Sequence, residues 1–244
     1  VPIIYLSPST QENNYYVTGG TEEYHMNQLA DAMIPYLVSS AIQYKRNTPE
    51  MTAASSIRQA NGGYYDFYLA LHSNASPENQ YGKNRGIVVF YYPGSAEGQR
   101  AADIFAENLR TIYPKPELVR TEATTSLGEV AKSKFPAVLI EIGYHDNAAD
   151  AEWITSHTAQ IAQNLVLSLT ELFGIPFIYP VDPRDAAVKT GGGTLKLRSR
   201  PSKTAAVLAS MPNGSQVRVY GCRQGWCVVH YLNFVGYAAA QYIS

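Results

Sequence analysis

The chain has 244 residues, enough for one sizeable domain and a small one. Its net charge is −1 and only 16% of residues are charged, which argues against nucleic acid as a main partner, because phosphate binding needs a basic face. No apolar run approaches the ~18 residues of a membrane span, and the opening residue is Val1 rather than Met, as expected of a trimmed or processed chain from which a signal peptide could have been removed. In chain order, Ile3-Ile4-Tyr5-Leu6 reads as a strand running into Ser7-Pro8-Ser9-Thr10-Gln11. Thr21 is an expected N-cap, with Glu22 and Glu23 in the first turn of a helix. Met26, Leu29, Ala30, Met33, Ile34 and Leu37 give that helix an apolar face. A strand over 41–46, a helix over 51–61, and strands over 66–71 and 86–92 follow. A helix is expected over 95–113, then a strand from Ala137. One long helix is expected from a cap at Asp146-Asn147 to Phe173, stopped by Gly174.

Alternating strands and helices predict an α/β fold: a twisted, mostly parallel sheet flanked by helices. Continuous short apolar runs suit strands buried on both faces. In such sheets the ligand crevice lies beyond the carboxyl ends of the strands. Three strand ends therefore bring Gln11, His72 and Glu141 to one rim. His72 is either a core histidine or a ligand, and the small polar residues that follow it favour a ligand. Glu141 sits within Val138-Leu139-Ile140-Glu141-Ile142, where an unpaired carboxylate costs several kcal/mol to bury. Burial would raise its pKa, as suits a general base. Glu22 or Glu23 from the first helix reaches the same rim.

Composition changes after Gly174. Pro176, Pro180, Pro183 and Gly191-Gly192-Gly193 mark a linker, drawn at 177–190, between domains at 1–176 and 191–244. Closely spaced short strands beyond it suggest a small all-β barrel. Cys222 and Cys227 flank an expected hairpin, and either a bridge or a reduced pair is compatible with that spacing; a bridge would indicate an extracytoplasmic setting. The 19 tyrosines against 7 phenylalanines suit sugar and peptide recognition as well as wet-edged cores.

Residues 1 to about 174 resemble the zinc-dependent N-acetylmuramoyl-L-alanine amidases of the amidase type 3 family. The resemblance rests on Gly20-Thr21-Glu22-Glu23, Arg58-Gln59-Ala60-Asn61, Leu71-His72-Ser73-Asn74-Ala75, Arg85-Gly86-Ile87-Val88-Val89-Phe90-Tyr91 and Pro136-Ala137-Val138-Leu139-Ile140-Glu141-Ile142-Gly143-Tyr144. It implies zinc as cofactor, His72 as a ligand, an acid opening the first helix as another, and Glu141 as the catalytic glutamate. Glu23 fits the family's Gly-x-x-Glu spacing better than Glu22, which stays as the alternate. The family's first loop usually reads Asp-Pro-Gly-His-Gly-Gly and donates a further histidine, whereas this chain has Ser7-Pro8-Ser9-Thr10-Gln11. Gln11 is the replacement donor considered, a poor zinc ligand beside imidazole. His25, three residues from Glu22, is another option, and His145 is expected in the turn before the next helix. Asn74 and Arg85 are substrate-contact candidates.

The C-terminal part resembles a bacterial SH3 domain through Leu195-Lys196-Leu197-Arg198-Ser199-Arg200-Pro201-Ser202, Met211-Pro212-Asn213-Gly214-Ser215, Gly225-Trp226 and Gly236-Tyr237. Together the two resemblances imply a secreted or wall-associated, monomeric bacterial peptidoglycan hydrolase, an autolysin targeted to cell wall by its SH3 domain. Two rivals stand beside it: a catalytically degenerate amidase that only binds wall, and a zinc peptidase on a related fold.

Overall fold

The computed structural model describes all of residues 1–244. The chain divides into two compact units, Ile3–Met33 with Tyr44–Leu169, and Thr170–Ser244 with Val1–Pro2 and Ile34–Gln43. In chain order, β1 (Ile3–Pro8) leads through a loop into α1 (Glu22–Ser39), whose residues from Ile34 on are counted in the second unit, then β2 (Gln43–Arg46), α2 (Ala53–Asn61) and β3 (Phe67–Asn74). Next come β4 (Ile87–Tyr91), α3 (Ala96–Arg110), β5 (Val119–Ala123), the single turn α4 (Gly128–Ala131), β6 (Ala137–Tyr144), α5 (Ala148–Ser156) and α6 (Thr158–Phe173).

The sheet has the order β2-β1-β3-β6-β4-β5. Strands β1, β3 and β6 are mutually parallel, while β4 runs against β6 and carries β5 parallel to itself. The central strand β3 is buried along nearly its whole length, which is why it reads as an apolar run instead of an alternation. Tyr5, Tyr68, Ala70, Leu139 and Ala137 pack on one face with Ala60 of α2 and Val130 of α4. Phe67 stacks on Phe105 of α3, 6.3 Å between ring centroids. Because successive side chains alternate across a strand, α3 covers the opposite face.

Two features depart from expectation here. The long C-terminal helix is broken at His157, where the hydroxyls of Thr155, Ser156 and Thr158 donate back to carbonyls three or four residues earlier. Such side-chain bonds compete with the backbone ladder. The stretch between α3 and β6 also carries β5 and α4, neither of which has a periodic signal.

In the second unit, β7 (Arg184–Ala187), β8 (Thr194–Arg198), β9 (Val207–Pro212), β10 (Gln216–Arg223), β11 (Trp226–Tyr231) and β12 (Phe234–Ala239) form an antiparallel sheet, ordered β7-β10-β11-β12-β8-β9. Val188, Leu195, Leu197, Met211, Val219 and Val229 build its core. The segment 177–190 is not a free linker. Ile178 is buried with its N–H donating to Ser40 Oγ, and β7 pairs with β10. Pro and Gly punctuate this stretch, but the apolar residues between them are used as core. Cys222 and Cys227 face each other across β10 and β11 and are bridged, 4.0 Å between Cα atoms. Gln224 and Gly225, both at positive φ, make the two-residue hairpin turn that brings them together.

Candidate active site

His72 ends the apolar run of β3 and is held from both sides. Its Nδ1 lies 2.9 Å from Glu22 Oε1 and its Nε2 lies 2.8 Å from Glu129 Oε2. Glu22 is the first residue of α1, following Thr21, whose hydroxyl accepts from Tyr24 N and caps the helix. At that position the Glu22 side chain turns inward, 1% exposed. Its second oxygen, Oε2, accepts from Asn14 Nδ2. Glu129 projects from α4, and its Oε1 accepts from Ser7 Oγ at 2.6 Å and from Tyr68 Oη at 2.8 Å.

The electrostatics follow from this sandwich. Burial opposes a charged imidazole, but the hydrogen bonds to Glu129 and Glu22 prevail and hold the His72 pKa well above the usual range. Burial would likewise raise Glu22 and Glu129, yet the bonds to His72 pull both below the ordinary carboxylate value.

Glu141 sits beside His72 on the neighbouring strand, paired with it in parallel register. Unlike the other two carboxylates it has no partner for its buried Oε2. Burial pushes its pKa up to about 7, reinforced by the negative charges of Glu22 and Glu129 and offset in part by His72. Gly143, two residues on, has φ +73°, a conformation that favours glycine, and Tyr144 N then donates to Asp150 Oδ2. That turn ends β6 just past Glu141.

The remaining sequence-derived candidates are placed as follows. Glu22, the alternate, is the helix acid at His72. Glu23 is not, because one further residue rotates a helical side chain by about 100° away from the sheet. Gln11 is exposed, its Oε1 accepts from Asn14 Nδ2, and it does not reach His72 as a ligand. Its backbone is nonetheless part of the opening. Thr10 and Gln11 line both a cavity of about 130 Å³ against His72, Glu129 and Asn47 and an outer cleft of about 420 Å³ bordered by Asn14, Glu50 and Thr52. His25 bonds Gly19 O through Nε2 and packs on Tyr16. His145 is buried against Ser73 through Nδ1 and is not a further ligand of this cluster.

Asn74 Oδ1 accepts from Ala75 N, so this side chain caps its own loop. Arg85 donates through Nε to Asp150 Oδ1, a fully buried carboxylate that also accepts from Tyr113 Oη and Gly86 N. Its main role is therefore to neutralise a structural aspartate. Sequence reading missed Glu129 entirely, since its turn is short and its partners lie 57, 61 and 122 residues away. The only available signal was a carboxylate shortly before a buried strand.

The donors at this site are engaged with one another and do not by themselves fit a zinc ion, the metal that the resemblance implies. Both ring nitrogens of His72 face carboxylate oxygens, Glu22 Oε1 at 2.9 Å and Glu129 Oε2 at 2.8 Å, and its raised pKa keeps a proton on each. The unpartnered Oε2 of Glu141 adds a further acceptor on the adjacent strand. No three His, Cys, Asp or Glu side chains are gathered tightly enough to enclose a metal.

Comparison with known proteins agrees with this geometry. The family model described as N-acetylmuramoyl-L-alanine amidase matches residues 9–171, and that of the bacterial SH3 domain matches residues 193–244. Among solved structures, the N-acetylmuramoyl-L-alanine amidase of Clostridium difficile 630 aligns with a TM-score of 0.64 at 16% identity, over 71% of this chain and 97% of that one. AmiC2 of Nostoc punctiforme aligns with a TM-score of 0.62 at 14% identity, over 71% and 97%. The catalytic domain of the CD27L endolysin, which targets Clostridia difficile, aligns with a TM-score of 0.58 at 20% identity, over 70% and 98%. No curated protein matches the chain. A match to the family over residues 9–171, on the same fold and with His72 and Glu141 side by side at the strand ends, places this chain in the N-acetylmuramoyl-L-alanine amidase family, with a bacterial SH3 domain at its C-terminal end.

Proposed function

We propose that the chain hydrolyses the amide between N-acetylmuramic acid and the L-alanine of the peptidoglycan stem, with zinc as cofactor, outside the cell or at the wall. The observation that carries this reading is Glu141: a carboxylate with a pKa near 7, one unpartnered buried oxygen, and His72 beside it in register. Such a group is poised to take a proton from an attacking water and to return it to the leaving amine. The resemblance implies His72 and Glu22 as ligands of the zinc, which would require His72 to give up the proton that lies between them. When bound, zinc supplies Lewis acidity toward the scissile carbonyl and the water. Asn14 orients Glu22, and a small cavity lined by Thr10 gives access to His72. The absence of the loop histidine supports weaker zinc binding than in relatives that carry it.

The binding-only reading is not favoured, because the family match is accompanied by a retained base and a retained histidine. The SH3 domain would dock to wall peptide and raise the local concentration of substrate. The test is release of free alanine amino ends from purified muramoyl peptide by the zinc-loaded full chain. Product with a new alanine N-terminus is expected; cleavage within the stem peptide alone would point to a peptidase instead. A chain that remains metal-free in millimolar zinc removes zinc from the reading.

A further inference from the structure

The cavity of about 130 Å³ beside His72 is poorly furnished for water. Most of the buried polar side chains in its wall are already engaged. Ser7 Oγ donates to Glu129 Oε1, Ser9 Oγ accepts from Gln11 N, and both nitrogens of His72 face carboxylate oxygens. Asn47 is the exception. It follows β2, is only 4% exposed, and its Nδ2 contacts Ser7 Oγ, Pro8 O and Ser56 Oγ. A backbone carbonyl can only accept, so the bond to Pro8 O fixes which end of the amide is nitrogen and which is oxygen. That oxygen, Oδ1, is buried and has no partner.

A water held in a buried site makes about three hydrogen bonds. This wall offers one unpaired buried acceptor, at Asn47, beside the apolar surfaces of Pro8 and Ala53. A better occupant brings a single N–H and is otherwise small and apolar. We propose that this cavity is a subsite for a secondary amide carrying a methyl-sized group, whose N–H donates to Asn47 Oδ1. A buried acceptor without a partner is costly, so a ligand that pairs with it gains more than one that meets a solvated group. N-acetylmuramoyl-L-alanine holds such an amide twice: the acetamido group of the sugar, and the scissile amide with the alanyl methyl next to it. The assignment thus rests on the amidase reading and names a substrate subsite within it. Thr10 and Gln11 also belong to the wall of the outer cleft of about 420 Å³, where Asn13, Asn14 and Glu50 offer polar groups to the rest of the ligand.

Binding can be read without turnover in the full chain carrying Glu141→Gln. Calorimetry compares N-acetylmuramoyl-L-alanine with two analogues, each with one amide N–H replaced by an ester oxygen, at the sugar's acetyl group or at the alanine. One analogue should bind about 10-fold more weakly while the other matches the parent, which identifies the amide in the cavity. With Asn47→Ala added, the parent and that analogue should bind alike, because the acceptor is gone. A merely structural asparagine would leave the discrimination intact. Ala53→Leu, at the first residue of α2 and in the cavity wall, spares the Asn47 contacts and fills the space. It should weaken the parent about 10-fold, and it stands in for the Asn47 variant if that one fails to fold. Equal binding of the parent and both analogues overturns the proposal, as does unchanged affinity in Ala53→Leu or no binding of the parent. Equal binding beside cleavage by the wild type removes the subsite and leaves the amidase reading. Discriminating binding beside a wild type that cleaves nothing sinks the amidase reading and leaves the subsite standing.

Discussion

The two units solve the problem of a stable interior in opposite ways. The α/β unit buries charge: Glu22, His72, Glu129, His145, Asp146 and Asp150 are all at most 8% exposed, and all lie before residue 151. The C-terminal sheet buries none; its core is aliphatic, with Met211 and a disulfide between neighbouring strands. Buried ions cost desolvation unless paired, so apolar packing is the cheaper way to hold a fold together. A unit that keeps six such groups inside does so where partners or chemistry hold them, and Glu141, whose inner oxygen has no partner, is the place where that accounting does not close. The C-terminal unit has no comparable group, as suits a docking module.

The contrast can be broken first at Glu141. Glu141→Gln should lower kcat for muramoyl–alanine cleavage by about 10²–10⁴ while the protein stays folded. Its stability should respond to pH with a definite sign. A carboxylate whose folded pKa is raised to about 7 from 4.5 destabilises the native state when ionised, so in metal-free protein the Gln variant should be more stable than wild type above pH 7. That advantage, about 3 kcal/mol, should disappear as pH falls below 4.5, where both states are protonated. Melting curves at pH 4 and pH 8 compare the two; a variant less stable than wild type at pH 8 would mean that Glu141 is a structural anion.

The second test concerns a buried charge with no chemistry to do. Asp150→Ala leaves Arg85 Nε, Tyr113 Oη, Gly86 N and Tyr144 N without their acceptor. Losing one member of a buried ion pair typically costs about 3–5 kcal/mol. Urea unfolding should show that loss, and Asp150→Asn should recover part of it.

In the other unit, replacing Cys222 and Cys227 by Ser opens a short loop, worth about 2 kcal/mol by loop-closure entropy. Hydrogen exchange should accelerate in β10 and β11, with cleavage of a soluble muramoyl dipeptide unchanged. The smallest effect is expected at Tyr16. Its hydroxyl is buried and unpartnered beside Ser73, and its ring stacks on His145. Tyr16→Phe should therefore raise stability by up to about 1 kcal/mol, read as a higher melting temperature. A lower one would show that the hydroxyl has a partner in solution.

Local pattern in the sequence determined much of this. Apolar runs such as Phe67–Leu71 and Ala137–Ile140 specify strands buried on both faces, because only the middle of a covered sheet can absorb them. Their polar ends place His72 and Glu141 at one rim, and motif resemblance carried the roles. The choice between Glu22 and Glu23 needed the actual start of α1, since one residue changes the direction of a helical side chain. Whether Cys222 met Cys227 depended on a turn of two residues at positive φ. The linker misled, because Pro and Gly mark irregular backbone whether or not the residues between them are packed. What only the tertiary structure decided is the partner set of His72. Glu129 reaches it from a single helical turn with no period to detect, across 57 residues of chain, and is held there by Ser7 from a further 65 residues upstream (122 − 57). No local preference encodes such a meeting; it arises only when β1, β3 and α4 are packed together.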